Sequence, residues 1–228
     1  MLMFANSPLI ESSQSAPHPR LSEILVRHLH APYRRVPSDA GRRAFDTIVE
    51  QLQTGPFVLD AGCGTGASTL ALAREFPDRR VLGVDKSAAR LAIGQRALER
   101  LARSGDAQAN AQLLHCELVD FWQLAAAAKL RCERQYLLYP NPWPKPEHLM
   151  RRWHAHPVLP AVLALGGVIE LRTNWSVYAE EFMQAMQQVG REVQLEMFAP
   201  AETLTTFERK YAASGHALWR CVAQPPGR

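Results

Sequence analysis

Phe57-Val58-Leu59-Asp60 runs straight into Ala61-Gly62-Cys63-Gly64-Thr65-Gly66, an apolar run that ends in an acid and is followed by three alternate glycines. Such a run reads as a strand buried on both faces. Glycines behind it let the backbone turn sharply and approach a ligand with no Cβ in the way. A second run, Val81-Leu82-Gly83-Val84-Asp85, ends in an acid 25 residues after the first. In an open α/β sheet that is where a carboxylate meets a ribose diol. Together the two runs predict a parallel sheet with a nucleoside-cofactor turn at the end of its first strand.

The rest of the chain extends this pattern. Further strands are expected near 111–115, 134–139 and 167–173 with helices between them, and the alternation is that of a sheet wrapped by helices. The segments 191–198 and 216–223 also read as strands, separated by a helical or looped stretch at 200–214, so the sheet should finish with a reversed pair. Seven strands with a reversed C-terminal one describe a class I S-adenosylmethionine-dependent methyltransferase sheet, whereas a nicotinamide-binding fold usually has six parallel strands. Residues 1–20 are rich in Ser and Pro and read as a flexible tail. Residues 21–55 read as a helical segment, with one helix over 38–52 capped by Ser38 or Asp39, and residues 56–228 as the catalytic domain.

Composition narrows the function classes. No apolar stretch is long enough to span a bilayer, and the N-terminal residues lack a secretory pattern, so a cytoplasmic protein is expected. The four cysteines, Cys63, Cys116, Cys132 and Cys221, form no CxxC pair, and no metal site is expected. A net charge of +4, an isoelectric point near 9.0 and a preponderance of Arg, which suits bidentate phosphate contacts, lean towards a nucleic-acid partner. Oligomeric state is not encoded in any recognisable pattern, and a monomer is compatible with the sequence.

The most specific stretch follows the fourth expected strand: Tyr139-Pro-Asn-Pro-Trp-Pro-Lys-Pro-Glu-His148, then Arg151-Arg152-Trp153. Its prolines can continue neither a strand nor a helix, so they hold a stiff, extended loop. The carboxyl edge of an open α/β sheet is where ligands react. Arg151 and Arg152 are expected to begin a helix and, with Lys145, to contact phosphate.

These motifs resemble the bacterial tRNA guanine-N7 methyltransferase family, whose loop reads Pro-Asp-Pro-Trp-Pro-Lys followed by Arg-His and a basic cluster. The likeness covers about residues 57–220 and includes Thr173-Asn174-Trp175 and Thr205-Thr206-Phe207-Glu208. It implies an S-adenosylmethionine cofactor and a tRNA substrate methylated on a variable-loop guanine. It also implies that Asp60, Gly62, Gly64, Gly66, Asp85 and Glu117 hold the cofactor. Asn141 would serve both cofactor and catalysis, while Lys145, Asn174, Thr205 and Glu208 would face the substrate. The chain departs from the family where Asn141 and Asn174 replace acids and where Glu147 replaces a basic residue.

Other readings stay open. Thr205 to Glu208 has capping-box spacing and can simply start a helix, and Asn174 can cap the helix that follows it. Asn141-Pro142-Trp143 partly matches the Asn-Pro-Pro-aromatic element of exocyclic-amine methylases. A non-catalytic relative that binds cofactor or RNA, or a methyltransferase acting on another base or a small molecule, would carry many of the same residues.

Overall fold

The computed structural model describes residues 7–31, 33–104 and 110–227. The first six residues of the expected tail lie outside that range. Seven strands form one sheet: β1 (Phe57–Ala61), β2 (Val81–Asp85), β3 (Ala111–His115), β4 (Cys132–Leu138), β5 (Val168–Thr173), β6 (Val193–Phe198) and β7 (Leu218–Ala223). Their order is β3-β2-β1-β4-β5-β7-β6. The pairs β1–β2, β2–β3 and β1–β4 are parallel, and β7 runs antiparallel to both β5 and β6. Only β7 is therefore reversed. It is the expected reversed C-terminal strand, antiparallel to β6 and inserted between β5 and β6.

The chain divides into two compact units, one of residues 35–136 with 164–167, the other of the remaining described residues. In the first unit every residue of β1 and β2 is buried, as the unbroken apolar runs require of central parallel strands. Its helices are α2 (Asp39–Asp46), α3 (Val49–Leu52), α4 (Ala67–Glu75), α5 (Ala88–Arg103) and α6 (Leu118–Ala127). The helix expected over 38–52 is thus two helices broken at Thr47 and Ile48. Ser38 is the cap, its Oγ accepting from Gly41 N at 3.0 Å. The same hydroxyl donates to Asp120 Oδ2 at 2.7 Å, and Arg35 pairs with the other oxygen at 3.2 Å. A Cβ on Gly41 would lie 2.6 Å from that carboxylate, so glycine is what lets α2 close on α6.

The second unit carries α1 (Leu21–His30), two short 3-10 turns over Pro146–Arg151 and Trp153–Ala155, α8 (Ser176–Gln188) and α9 (Thr206–Ala213), with α7 (Leu159–Ala164) leading into β5. Leu21 and Ile24 of α1 pack on Leu149 and Ala155 of the turns. The edge strand β6 alternates half-buried and exposed residues over 193–196 and carries Glu196, a charge that discourages further strand pairing. Residues 12–18 are tied down by side-chain and backbone hydrogen bonds, which corrects the expectation of a flexible tail for this stretch.

Candidate active site

The glycine turn joins β1 to α4. Gly62, Gly64 and Gly66 have φ of +86°, +58° and +75°, the left-handed region where side chains with a Cβ are strained. Gly62 N and Cys63 N both donate to Val84 O, at 2.8 and 3.1 Å, which folds the turn over the end of β2. There Asp85 is almost fully buried. Its Oδ2 accepts from Gly64 N at 3.0 Å and its Oδ1 from Ser87 N at 2.8 Å. An ionised carboxylate has about four acceptor positions, so each oxygen keeps capacity for a hydroxyl donor. Gly94 was not singled out in the sequence, yet a Cβ there would lie 2.5 Å from Thr65 O; glycine allows α5 to pack directly against the turn.

Glu117 stands at the N-cap of α6, about half exposed, 3.7 Å from Lys86. The Asp85–His115 register and the Cys116 N to Asp85 O hydrogen bond at 3.1 Å bring Asp85 and Glu117 to adjoining strand ends. Asp60 is different. It is 1% exposed, and its Oδ2 accepts hydroxyls from Ser68 at 2.6 Å and Thr69 at 2.7 Å. Burial pushes its carboxyl up to about 6, against the lowering effect of those two donors. Asp60 ties β1 to the first turns of α4 through its Oδ2, while Asp85 and Glu117 stand at adjoining strand ends with acceptor capacity left. A left-handed glycine turn bordered by two acids with spare acceptor capacity fits a ribosyl cofactor. Asp85→Ala is expected to weaken S-adenosylhomocysteine binding by about 1–3 kcal/mol, read by calorimetry. An unchanged affinity removes Asp85 from the site.

The proline loop belongs to the second unit and carries two strained residues. Tyr139 and Trp143 have φ of +50° and +45°, conformations uncommon for any side chain and costly for aromatic ones. Tyr139 is held by its N–H to Arg172 O at 2.7 Å and by its hydroxyl to Glu208 Oε1 at 3.0 Å. Asn141 Oδ1 accepts from Trp143 N at 3.4 Å, closing a small turn. The side chains of Asn141, Lys145 and Arg151 are exposed, and the Arg151 guanidinium lies 4.6 Å over the Trp143 ring.

Arg152, expected on the surface contacting phosphate, is instead 0% exposed. It lies between the two 3-10 turns, where no regular helix begins. Its Nη1 donates to Glu181 Oε2 at 2.6 Å, its Nη2 to Gln14 Oε1 at 2.9 Å and Trp143 O at 3.1 Å, and it stacks 4.9 Å from the Trp175 ring centre. Glu181, also fully buried, takes a further bond from His154 Nε2 at 2.9 Å. Burial raises the Glu181 carboxyl, but the His154 and Arg152 contacts win and hold it at about 2; burial pushes His154 down, towards neutrality.

Glu208 is likewise buried. It receives Leu204 N at 2.6 Å and Arg172 Nη1 at 3.0 Å, and Thr205 caps α9 by accepting from Glu208 N at 2.9 Å. That is capping-box chemistry plus a buried ion pair, so Glu208 acts on Tyr139 and the loop and does not face a substrate. Asn174 caps nothing: the N-cap of α8 is Trp175, and Asn174 Nδ2 lies 3.0 Å from His216 Nδ1.

Residues 54–221 match a family model described as "Putative methyltransferase". The tRNA (guanine-N(7)-)-methyltransferase of Anaeromyxobacter dehalogenans is 34% identical over 177 residues, 73% of this chain and 84% of that protein. The chain belongs to the tRNA guanine-N7 methyltransferase family. The enzyme of the same description from Stutzerimonas stutzeri is 26% identical over 247 aligned positions, 95% of this chain and 97% of that protein. Among solved structures, the 16S rRNA methyltransferase KamB superposes with a TM-score of 0.57 at 18% identity, over 79% of this methyltransferase and 94% of KamB. A 16S rRNA (adenine(1408)-N(1))-methyltransferase from Catenulisporales acidiphilia, solved with S-adenosylmethionine, gives 0.55 at 15% identity, over 80% and 92% of the two chains. Those two likenesses concern the fold alone. The methyltransferase uses S-adenosylmethionine as its cofactor.

Proposed function

We propose that the protein transfers a methyl group from S-adenosylmethionine to N7 of a guanine in the variable loop of tRNA. The observation that carries this reading is the proline loop: a stiff element whose buried residues fix its path and which exposes Asn141, Lys145, Glu147 and Arg151, the last stacked over the half-buried Trp143. The cofactor supplies an electrophilic methyl on a cationic sulfur. Guanine N7 has an available lone pair, so the new N–C bond forms as the S–C bond breaks, and no proton need be removed. No general base is required. The protein's part is alignment and electrostatics. Asp85 and Glu117 hold the ribose side, and Asn141 with the backbone at Pro140 positions the base. Lys145 and Arg151 engage phosphate, and Trp143 offers its ring with Arg151 across one face. In this assignment Arg152 and Glu208 are supports of the loop, and Asp60 is a support of the glycine turn.

Liquid chromatography and mass spectrometry of nucleosides from bulk tRNA treated with the protein and S-adenosylmethionine tests the reaction. 7-Methylguanosine is the expected product, and a different methylated nucleoside or none at all overturns it. Removing both cationic contacts in Lys145→Ala/Arg151→Ala is expected to lower the slope of log affinity against log salt by somewhat under about two. An unaltered slope makes the pair a solvated surface.

A further inference from the structure

Prolines at 142, 144 and 146 remove three N–H groups from the loop, so no strand ladder holds it, and the 3-10 turn that begins at Pro146 reaches back only to Lys145 O, which accepts from His148 N at 2.9 Å. Its carbonyls are what remains. Three consecutive ones are bound by side chains from elsewhere in the same unit. Trp143 O accepts from Arg152 Nε at 3.3 Å and Nη2 at 3.1 Å, Lys145 O from Arg152 Nη2 at 3.4 Å, and Pro144 O from Ser12 Oγ at 2.6 Å. Ser12 is itself oriented, since its oxygen accepts from Gln14 N at 2.9 Å. Both ends of the Gln14 amide are engaged as well: Oε1 with Arg152 at 2.9 Å, Nε2 with Glu181 Oε1 at 2.6 Å and Ala16 O at 2.8 Å. His18 N adds a bond to the same carboxylate oxygen at 2.9 Å, and Leu21 N to His18 O at 2.9 Å continues the segment into α1.

We infer that residues 12–18 form a strap that sets the position of the proline loop for methyl transfer, with Ser12 and Gln14 as positioning residues. The inference rests on the function proposed above. Ser12 lies on the surface and Gln14 is half-buried, so removing them leaves the apolar core intact and takes one partner each from the buried Arg152 and Glu181. Their partners are the carbonyls that flank Lys145 and the arginine that aligns the loop. A shift of about 1 Å in such an element can cost two orders of magnitude in rate without much change in binding.

The test compares the full-length protein with Ser12→Ala/Gln14→Ala and with Ser12→Thr, which keeps the hydroxyl. The double variant is expected to lose about ten- to a hundredfold in kcat for tRNA methylation with KM for tRNA within about threefold, while its affinity for S-adenosylhomocysteine stays as it was and its unfolding midpoint falls by less than that of Arg152→Ala, because Gln14 bonds the buried Arg152 and Glu181 but leaves them paired with each other. Amide exchange over residues 141–151 should speed up by about tenfold, the equivalent of one or two hydrogen bonds. Ser12→Thr should restore both readouts in the Gln14 background. Unchanged kcat, or faster exchange without a loss of kcat, overturns the positioning role. If the unaltered protein methylates no tRNA, the proposed reaction fails on its own account, and exchange alone decides whether the strap holds the loop: faster exchange in the double variant supports it, and unchanged exchange sinks it.

Discussion

Arg152→Ala is expected to lower the unfolding free energy by about 3–5 kcal/mol, because it strands an ionised, fully buried Glu181 and frees the carbonyl of Trp143. Urea denaturation at constant m reads the change directly. The loss should shrink on acidification. In the unaltered protein Glu181 is held at about 2, below its ordinary 4.5, so the pair's contribution is fully present above pH 4.5 and fades only as pH falls towards 2. Without Arg152, burial is less opposed and the Glu181 carboxyl rises; the variant then gains stability from proton uptake as pH falls, and the two curves converge below neutrality. Replacing both members by leucine should recover part of the loss, since no charge is then left buried. A fall of less than about 1 kcal/mol at pH 7 would show that the pair contributes little.

This buried pair also marks where sequence reasoning stopped. The strands at 57–61 and 81–85, the glycine turn and Asp85 were legible because each is signalled locally, by an apolar run, a glycine spacing or a terminal acid. Arg151 and Arg152 look alike in the sequence. Only the end of a 3-10 turn between them sends one to solvent and the other inward, and the partner that receives it is 29 residues away. One signal was available: Glu181 lies on the same face of α8 as Tyr178, Phe182 and Ala185, all buried, and an acid on an apolar face requires a partner. Glu208 shows the same limit. Its capping spacing with Thr205 was readable, but the ion pair to Arg172 and the bond from Tyr139, which bury it, come from residues 36 and 69 positions away. Residues 12–18 read as tail because Ser and Pro there satisfy no periodic pattern; their order comes from hydrogen bonds to partners more than a hundred residues distant.

Asn141→Asp is expected to raise the rate of guanine-N7 methylation by up to about a hundredfold. The reacting guanine acquires positive charge as the bond to the methyl carbon forms, and a carboxylate stabilises that charge better than an amide, by about 2–4 kcal/mol for one well-placed contact. The structure makes this a clean substitution. Asn141 uses its Oδ1 to accept from Trp143 N, which a carboxylate oxygen does equally well, so the turn and the left-handed Trp143 stay in place and only the charge changes. If Asn141 instead accepts hydrogen bonds from an exocyclic amine, the same variant should slow methylation of the true substrate, and the unaltered protein should yield a nucleoside other than 7-methylguanosine. A protein that binds S-adenosylhomocysteine but methylates nothing in either form favours a non-catalytic relative. Nucleoside analysis of both forms on the same bulk tRNA separates these outcomes. A rate for Asn141→Asp equal to or below that of the unaltered protein counts against charge at this position being what limits the reaction.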